Sequence, residues 1–158
     1  MNISLNVSSQ SCKIFTINLP KDKNALKTHK WEGNDYKVAE ESITKKPFFV
    51  NTKYEKGITQ ILCDTMNYDF SDFSSKVQYI FIDANHSKEY VQKDTENSLN
   101  MLGYNSQSCI IWHDYENIMH PDLTEYINKL SNYKTLYHIE ETMLVLLLNK
   151  LEVSERIS

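Results

Sequence analysis

The sequence predicts an α/β fold with a mostly parallel sheet and an antiparallel strand pair near its carboxyl end. Short apolar runs alternate with amphipathic segments along the 158 residues. The run at 77–83 is apolar without strict alternation, as expected of a parallel strand covered on both faces. The runs at 135–139 and 142–148 are separated by only two residues. So short a connection is typical of an antiparallel pair.

The amino-terminal half contains two predicted strands separated by a long polar connection. Residues 13–18 form a short β-rich run, and 58–63 form a second one directly after Gly57. The stretch at 21–56 is polar with little periodicity, except for apolar positions at helical spacing within 36–43. We therefore expect one short helix inside a long connection.

The carboxy-terminal half shows a clearer alternation of strands and helices. The strand at 77–83 is followed by an amphipathic segment that begins after Ser87 and ends at Gly103, a suitable helix C-cap. A further strand is predicted at 108–114. Pro121 then fits the first turn of another helix. Helices between parallel strands are expected on both faces of the sheet.

Length and charge place the chain among ordinary globular domains. We expect one domain at 1–150 and a polar tail at 151–158. The formal net charge is −4, and there is no basic stripe of the kind that marks a nucleic-acid binder. No apolar run approaches the roughly 18 residues that a membrane span requires. These features predict neither a nucleic-acid partner nor a membrane partner.

The three cysteines predict a location in the cytoplasm. Cys12, Cys63 and Cys109 are an odd number without the spacing of a metal site. We interpret them as buried reduced thiols of an intracellular protein. The amino terminus shows no cationic region followed by an apolar stretch, so no signal peptide is predicted.

Acidic and imidazole side chains follow two of the predicted strands. Asp83 and Asp114 each end a strand, and adjacent strands lie about 4.8 Å apart. Two carboxylates so placed could hold Mg²⁺ or another divalent cation. His86 could act as a general base near neutral pH. His113 precedes Asp114 and should point to the other side of its strand, which makes it the weaker candidate.

Structural explanations compete with each of these assignments. The two aspartates could cap helices or accept backbone amides in loops, and His86 could make a hydrogen bond at a helix entry. Aromatic residues near these strands, such as Tyr79, Phe81 and Trp112, could line a pocket or form ordinary core. His29, His120 and His138 belong to no visible constellation, and we expect them to be surface or packing residues.

Five segments, in order along the chain, resemble blocks of class I S-adenosylmethionine-dependent methyltransferases of the domain 24 type. Residues 79–94 resemble "FIDGxHxYexVxxD", and 110–115 resemble "GxIxWHDY". The others lie at 14–20, 58–65 and 139–145, and they resemble "vyTiDLP", "kIxqlxGDS" and "IxGTsLa". The resemblance implies a Rossmann-like fold and methyl transfer to an oxygen or nitrogen of a small molecule.

The resemblance also implies roles for particular residues. Asn18 would face the cofactor ribose, and Asp64 and Thr65 would border the adenine. Asp83 would lie beside the methionine part and could share a divalent cation with Asp114. His86 would lie at the mouth of the site as a base or orienting group.

The sequence departs from the family pattern at its amino end. The family begins with a strand and a Gly-rich turn of the form "E-x-G-x-x-x-G", which allows the backbone to approach the cofactor. Only 13 residues precede Ile14 and none is a glycine, and residues 1–7 look like the end of a helix. Asn18 and Cys63 replace an aspartate and a glycine of the family. We therefore expect a fold without the first central strand, truncated at its amino end.

The missing strand leaves several functions open. Its neighbours could pair directly, or another chain could fill the gap, which makes a homo-oligomer or a missing amino-terminal segment a possible partner. The chain could be a methyltransferase with a small-molecule acceptor, or a catalytically inactive methyltransferase-like subunit. A third possibility is a metal-dependent hydroxylase or hydrolase that uses Asp83 and Asp114 on the same fold.

Overall fold

The computed structural model describes residues 12–27, 29–104 and 107–149. These residues fall into two compact units. The first holds the described residues up to His29 together with Tyr36–Asn67. The second holds Lys30–Asp35 and the described residues from Tyr68 onward.

The first unit is built on two parallel strands, β1 (Ile14–Asn18) and β2 (Ile58–Leu62). The connection between them contains α1 (Lys23–Lys27), α2 (Asp35–Thr44) and a short 3-10 helix before β2. Two α-helices therefore occupy the connection in which we expected one. The predicted pattern at 36–43 corresponds to α2, whereas α1 is too short to show a periodicity.

The second unit contains a four-stranded mixed sheet. Its strands are β3 (Tyr79–Ile82), β4 (Ser108–Trp112), β5 (Leu136–Ile139) and β6 (Leu144–Asn149), in the order β3-β4-β6-β5. The pair β3–β4 is parallel, and β6 runs antiparallel to both β4 and β5. Both helices of this unit, α3 (Lys88–Met101) and α4 (Pro121–Leu130), lie near their predicted positions.

One hydrophobic core fixes the position of β4 in the second unit. Alternate residues of β4 are buried, and Ile110 and Trp112 pair across the sheet with Leu147 and Val145. The same core includes Val91 of α3 together with residues of α4. The Trp112 indole is fully buried and donates a hydrogen bond to Thr95 Oγ1 at 3.0 Å. The end of β4 is thus held rigidly by α3.

The fold class is as predicted: a mixed α/β fold with parallel strands and antiparallel strand pairs, consistent with a Rossmann-like fold. The strand β3 differs in detail, because Tyr79 and Phe81 are 36% and 38% exposed rather than buried on both faces. The six described strands form two sheets. The expected helix end at 1–7 and the polar tail at 151–158 lie outside the described residues.

The cysteines are free, as predicted, but they are less buried than expected. Cys12 is exposed, and Cys63 and Cys109 are half-buried. Burial still raises the pKa of the Cys109 thiol, which disfavours the reactive thiolate. No helix in the described part of the chain has the length and hydrophobicity needed to cross a membrane.

Candidate functional site

The strand register brings Asp83 and Asp114 to one edge of the sheet. Ile82, the last residue of β3, pairs with Trp112, the last residue of β4. Asp83 follows Ile82 directly, and Asp114 comes two residues after Trp112. Because the strands are parallel, their carboxyl ends meet at the same edge, where open α/β sheets bind ligands.

His86 lies between this carboxylate pair and a third aspartate. Its Nε2 is 3.4 Å from Asp114 Oδ2, and its Nδ1 is 3.0 Å from both carboxylate oxygens of Asp35. Asp35 Oδ2 also accepts the backbone N–H of His86 at 2.8 Å. The imidazole is only 8% exposed, so its orientation is set by these neighbours.

Asp83, His86 and Asp114 offer ligand atoms that all lie within 4.8 Å of one another. The three residues range from exposed Asp83 to buried His86. Oxygen ligands with one imidazole suit several divalent cations. The buried Nε2 of His86 makes no hydrogen bond within the described residues, which leaves its lone pair or proton directed at this group.

His113 belongs to the same cluster, and the expectation that it points away is wrong. Its Nδ1 lies 2.9 Å from Asp114 Oδ2 and 3.8 Å from Asp83 Oδ1. The strand ends at Trp112, and Asp114 has a left-handed backbone with φ of 63°. Side chains point alternately to opposite faces only along an extended strand. The left-handed turn at Asp114 therefore places the side chains of both His113 and Asp114 in the site.

His120 is a second correction, because it also joins a constellation. Its ring stacks on His86 with centroids 3.8 Å apart and an interplanar angle of 24°. Its Nδ1 lies 3.9 Å from Glu32 Oε2, and its Nε2 lies 4.0 Å from Asp35 Oδ1. Both Nδ1 and Glu32 Oε2 are buried without a hydrogen bond within the described residues. The buried residues Asp35 and His120 therefore contact His86, and the half-buried Glu32 lies beside His120.

Sequence reasoning missed Glu32 and Asp35 because they lie about 50 residues before His86. The available signal was Gly33, one of only three glycines. Its φ is +54°, and a Cβ atom there would lie 2.8 Å from the carbonyl oxygen of Met119. Gly33 thus allows the segment Lys30–Asp35 to approach the loop before α4 closely.

The charges of the cluster affect the protonation of its two stacked histidines differently. Burial opposes protonation of His86, but the hydrogen bond and charge of Asp35, with the charges of Asp114 and Asp83, raise the pKa of His86 overall. Burial and the nearby charge of His86 lower the pKa of His120. Protonation of the stacked pair is therefore easier at His86 than at His120.

The surroundings of Asp114 favour the ionised form of its carboxyl group. Burial raises its pKa, but the hydrogen bond from Asn117, the close approach of His113 Nδ1 and the charges of His113 and His86 outweigh this, so that the pKa of Asp114 is lowered. Asn117 donates to Asp114 Oδ1 at 2.8 Å, which leaves Oδ2 facing the two histidines. An ionised carboxylate with one oxygen directed at the site is a suitable ligand for a cation.

The helix-capping explanation for the two aspartates does not hold. Asp83 accepts no hydrogen bond among the described residues, and the N-cap position of α3 is Ser87. The Lys88 N–H of that helix is accepted by Asp122 Oδ2 instead. Asp114 accepts the side chain of Asn117 rather than a backbone amide.

In the first unit, the predicted cofactor residues lie at the carboxyl ends of β1 and β2. Asn18 ends β1 and accepts a hydrogen bond from Gln60 at 3.2 Å. Asp64 follows β2, and its two oxygens accept the Met66 N–H and the Asn67 amide, both at 3.0 Å. Thr65 follows directly and is half-buried. Both acceptor side chains thus also stabilise local structure.

Parallel strands with acidic and polar side chains at their carboxyl ends define a class of α/β proteins that bind small cofactors and substrates at that edge. The sequence profile of a methyltransferase domain, of the domain 24 type, matches residues 13–115. The chain therefore belongs to this methyltransferase domain family, and its general function is methyl transfer. No curated protein matches the chain with significant similarity.

Proposed function

We propose that the chain transfers a methyl group from S-adenosylmethionine to an oxygen or nitrogen of a small molecule. The observation that carries this proposal is the group of Asp83, His86 and Asp114 at adjoining strand ends, in a chain of the methyltransferase family. The proposal comprises S-adenosylmethionine as the donor, a small molecule as the acceptor and a divalent cation that assists the transfer. A homo-oligomer and a cytoplasmic location belong to it as well, the latter supported by three free thiols.

By the family resemblance, residues at the ends of β1, β2 and β3 would hold the donor. Asn18 would bind the ribose hydroxyls, and Asp64 with Thr65 would border the adenine. The exposed side chain of Asp83 would face the methionine part. The fit is supported by polar side chains at the carboxyl ends of β1 and β2, although Asn18 and Asp64 keep only part of their hydrogen-bonding capacity for a ligand.

A divalent cation such as Mg²⁺ also fits the residues present. Asp83 and Asp114 would hold it, with His86 Nε2 as a further donor atom within reach. The orphaned buried Nε2 beside Asp114 is the observation that favours such a group. A bound cation would lower the pKa of an acceptor hydroxyl and orient it.

The chain's own side chains would position the acceptor and remove its proton. S-adenosylmethionine supplies an electrophilic methyl group on a sulfonium sulfur, which leaves as a neutral thioether. His86 Nε2 faces the strand edge and, when it is not itself bound to the cation, could accept the proton of the attacking hydroxyl or amine. Asp35 and Asp114 would stabilise the imidazolium that results. Catalysis then rests mainly on orientation and proton transfer.

Labelled methyl transfer tests this proposal. The chain is incubated with S-adenosylmethionine labelled at its methyl group, Mg²⁺ and a panel of phenols, catechols and amines. We expect a labelled product, and we expect His86→Gln to reduce its rate by about 10²- to 10⁴-fold, the usual contribution of a general base. His138→Gln is the matched control, because this exposed histidine bonds the Thr142 carbonyl and packs edge to face against Tyr115. Equal losses in both variants would contradict the role of His86.

A catalytically inactive relative is the second candidate. It is favoured by one observation: the side-chain oxygens of Asn18 and Asp64 are engaged in local hydrogen bonds. Under this alternative the wild-type chain gives no labelled product with any acceptor of the panel and does not bind S-adenosylmethionine. Binding of the donor at micromolar concentration would argue against it.

A further inference from the structure

We propose that Asp35 is a positioning residue that holds His86 as the Nδ1–H tautomer and directs Nε2 toward Asp83 and Asp114. No role for Asp35 follows from the strand-end pattern, since it lies at the start of α2. This inference deepens the proposed function, on which its catalytic meaning rests. The position of the proton on the neutral His86 ring can be measured without any substrate.

The contacts of Asp35 determine which ring nitrogen carries the proton. Its oxygens both lie 3.0 Å from His86 Nδ1, and Oδ2 also accepts the His86 backbone N–H at 2.8 Å. An ionised carboxylate can only accept hydrogen bonds. Nδ1 must therefore donate, and in the neutral ring the lone pair lies on Nε2. The other nitrogen of a functional histidine is commonly fixed in this way.

The imidazole of His86 is restrained both at its Nδ1 edge and on one ring face. The Asp35 carboxylate is 8% exposed, and it holds the main chain and the ring of His86 at once. The stacked ring of His120 fixes the plane of the imidazole. His86 therefore has little freedom to rotate or to exchange its nitrogens without breaking several contacts.

The stack also shows why Asp35, His86 and His120 are better suited to positioning than to binding a second ion. These three residues offer ligand atoms within 4.8 Å of one another. However, a metal ion lies close to the plane of each imidazole that binds it, along the nitrogen lone pair. Two rings stacked at 24° cannot both direct a lone pair at one ion near their common face.

Asp35→Asn is the sharpest test because it keeps the shape of the side chain. The amide oxygen can still accept the His86 backbone N–H, whereas the amide nitrogen then faces Nδ1 and donates to it. A proton on Nδ1 would then face the amide N–H at 3.0 Å, so the neutral ring should switch to the Nε2–H tautomer, in which Nδ1 accepts. Asp122→Asn is the matched control, because Asp122 accepts a backbone N–H of the same unit without contacting His86.

Nitrogen-15 NMR of the histidine rings reads the tautomer directly, at a pH at which His86 is neutral. We expect Nδ1–H as the major form in the wild type and in Asp122→Asn, and Nε2–H as the major form in Asp35→Asn. Nε2–H as the major form in the wild type would overturn the proposal, even if the variant does not fold. Retention of Nδ1–H in folded Asp35→Asn would overturn it as well.

The same experiment separates this inference from the proposed function. The tautomer is observed without donor, metal or acceptor, so a chain that binds no S-adenosylmethionine can still show the switch. In that case methyl transfer fails as the function and the positioning role of Asp35 stands. If the wild type transfers methyl groups but Asp35→Asn keeps the wild-type tautomer, the proposed function stands and the positioning role of Asp35 fails.

Discussion

Asp114 combines a strained backbone with the central contacts of the site. Its φ of 63° lies in the left-handed region, which is costly for most residues and is tolerated best by glycine, asparagine and aspartate. Its side chain approaches His86, His113 and Asn117. Backbone strain of this kind is often found at functional sites. An aspartate here suits both the left-handed backbone and the proposed role of a cation ligand.

Asp114→Asn should therefore strongly reduce the affinity of the chain for a divalent cation while leaving the fold intact. Asparagine accepts the left-handed conformation and removes only the charge. We expect the affinity for Mn²⁺ to fall by more than about tenfold, since loss of a partner of a metal ligand alone typically costs that much. Titration followed by electron paramagnetic resonance measures free Mn²⁺.

Asp72→Asn is the control for this substitution, because Asp72 is an exposed acidic residue of a 3-10 helix in the same unit. Its affinity for Mn²⁺ should equal that of the wild type. If Asp114→Asn also retains wild-type affinity, Asp114 is not a ligand.

Among the elements, the strands were the most predictable from sequence. The runs that became β3, β4, β5 and β6 are apolar and end at polar residues, so local pattern and tertiary burial agree. The core of this unit, built on Ile110 and Trp112, follows from the same pattern. Asp83, His86 and Asp114 could be brought together from the same information, because parallel strands end at one edge.

The contacts of Asp35 and His120 with His86 could not be predicted from sequence. Asp35 reaches His86 through a tertiary contact between residues 51 positions apart. His120 precedes α4, and its proximity to His86 depends on how α3 and α4 pack. His113 was misplaced because its strand ends two residues earlier than expected. A local pattern carries no information about such contacts.

Gly33→Ala tests whether the segment Lys30–Asp35 is held by close approach. The added Cβ would lie 2.8 Å from the Met119 carbonyl oxygen and 3.2 Å from a His120 ring carbon, at a φ of +54°. We expect a loss of more than about 1 kcal/mol in the free energy of unfolding. We also expect shifts in the NMR signals of the His86 and His120 rings.

Gly57→Ala is the matched control, because its Cβ would meet nothing within 4 Å and its backbone is not left-handed. Its free energy of unfolding should stay the same or rise by up to about 1 kcal/mol. Urea denaturation measures both variants. Equal effects at the two glycines would show that the contact with Met119 and His120 is unimportant.

For the whole molecule, the shifted pKa of His86 predicts how stability depends on pH. The pKa is raised in the folded state, so the folded protein holds this proton more tightly than the unfolded chain. The stabilisation is fully present below the unfolded pKa of about 6.5. It is lost as the pH rises through the higher folded pKa, with a slope of at most about 1.4 kcal/mol per pH unit.

Urea denaturation across this pH window measures the effect. The free energy of unfolding of the wild type should fall as the pH rises above about 6.5. His86→Gln should remove this part of the slope, whereas His138→Gln, at an exposed position, should retain it. A slope that persists unchanged in His86→Gln would show that another group is responsible.

The proposed donor site of this methyltransferase-family chain includes the exposed side chain of Asp83 after β3. Calorimetric titration with S-adenosylmethionine tests it most directly, since it needs neither the acceptor nor turnover. We expect one molecule of S-adenosylmethionine per chain with micromolar affinity, weakened at least about tenfold in Asp83→Asn through loss of a charge-assisted contact, and unchanged in Asp72→Asn. No binding by the wild type, or equal binding by wild type and Asp83→Asn, would contradict a donor site at Asp83.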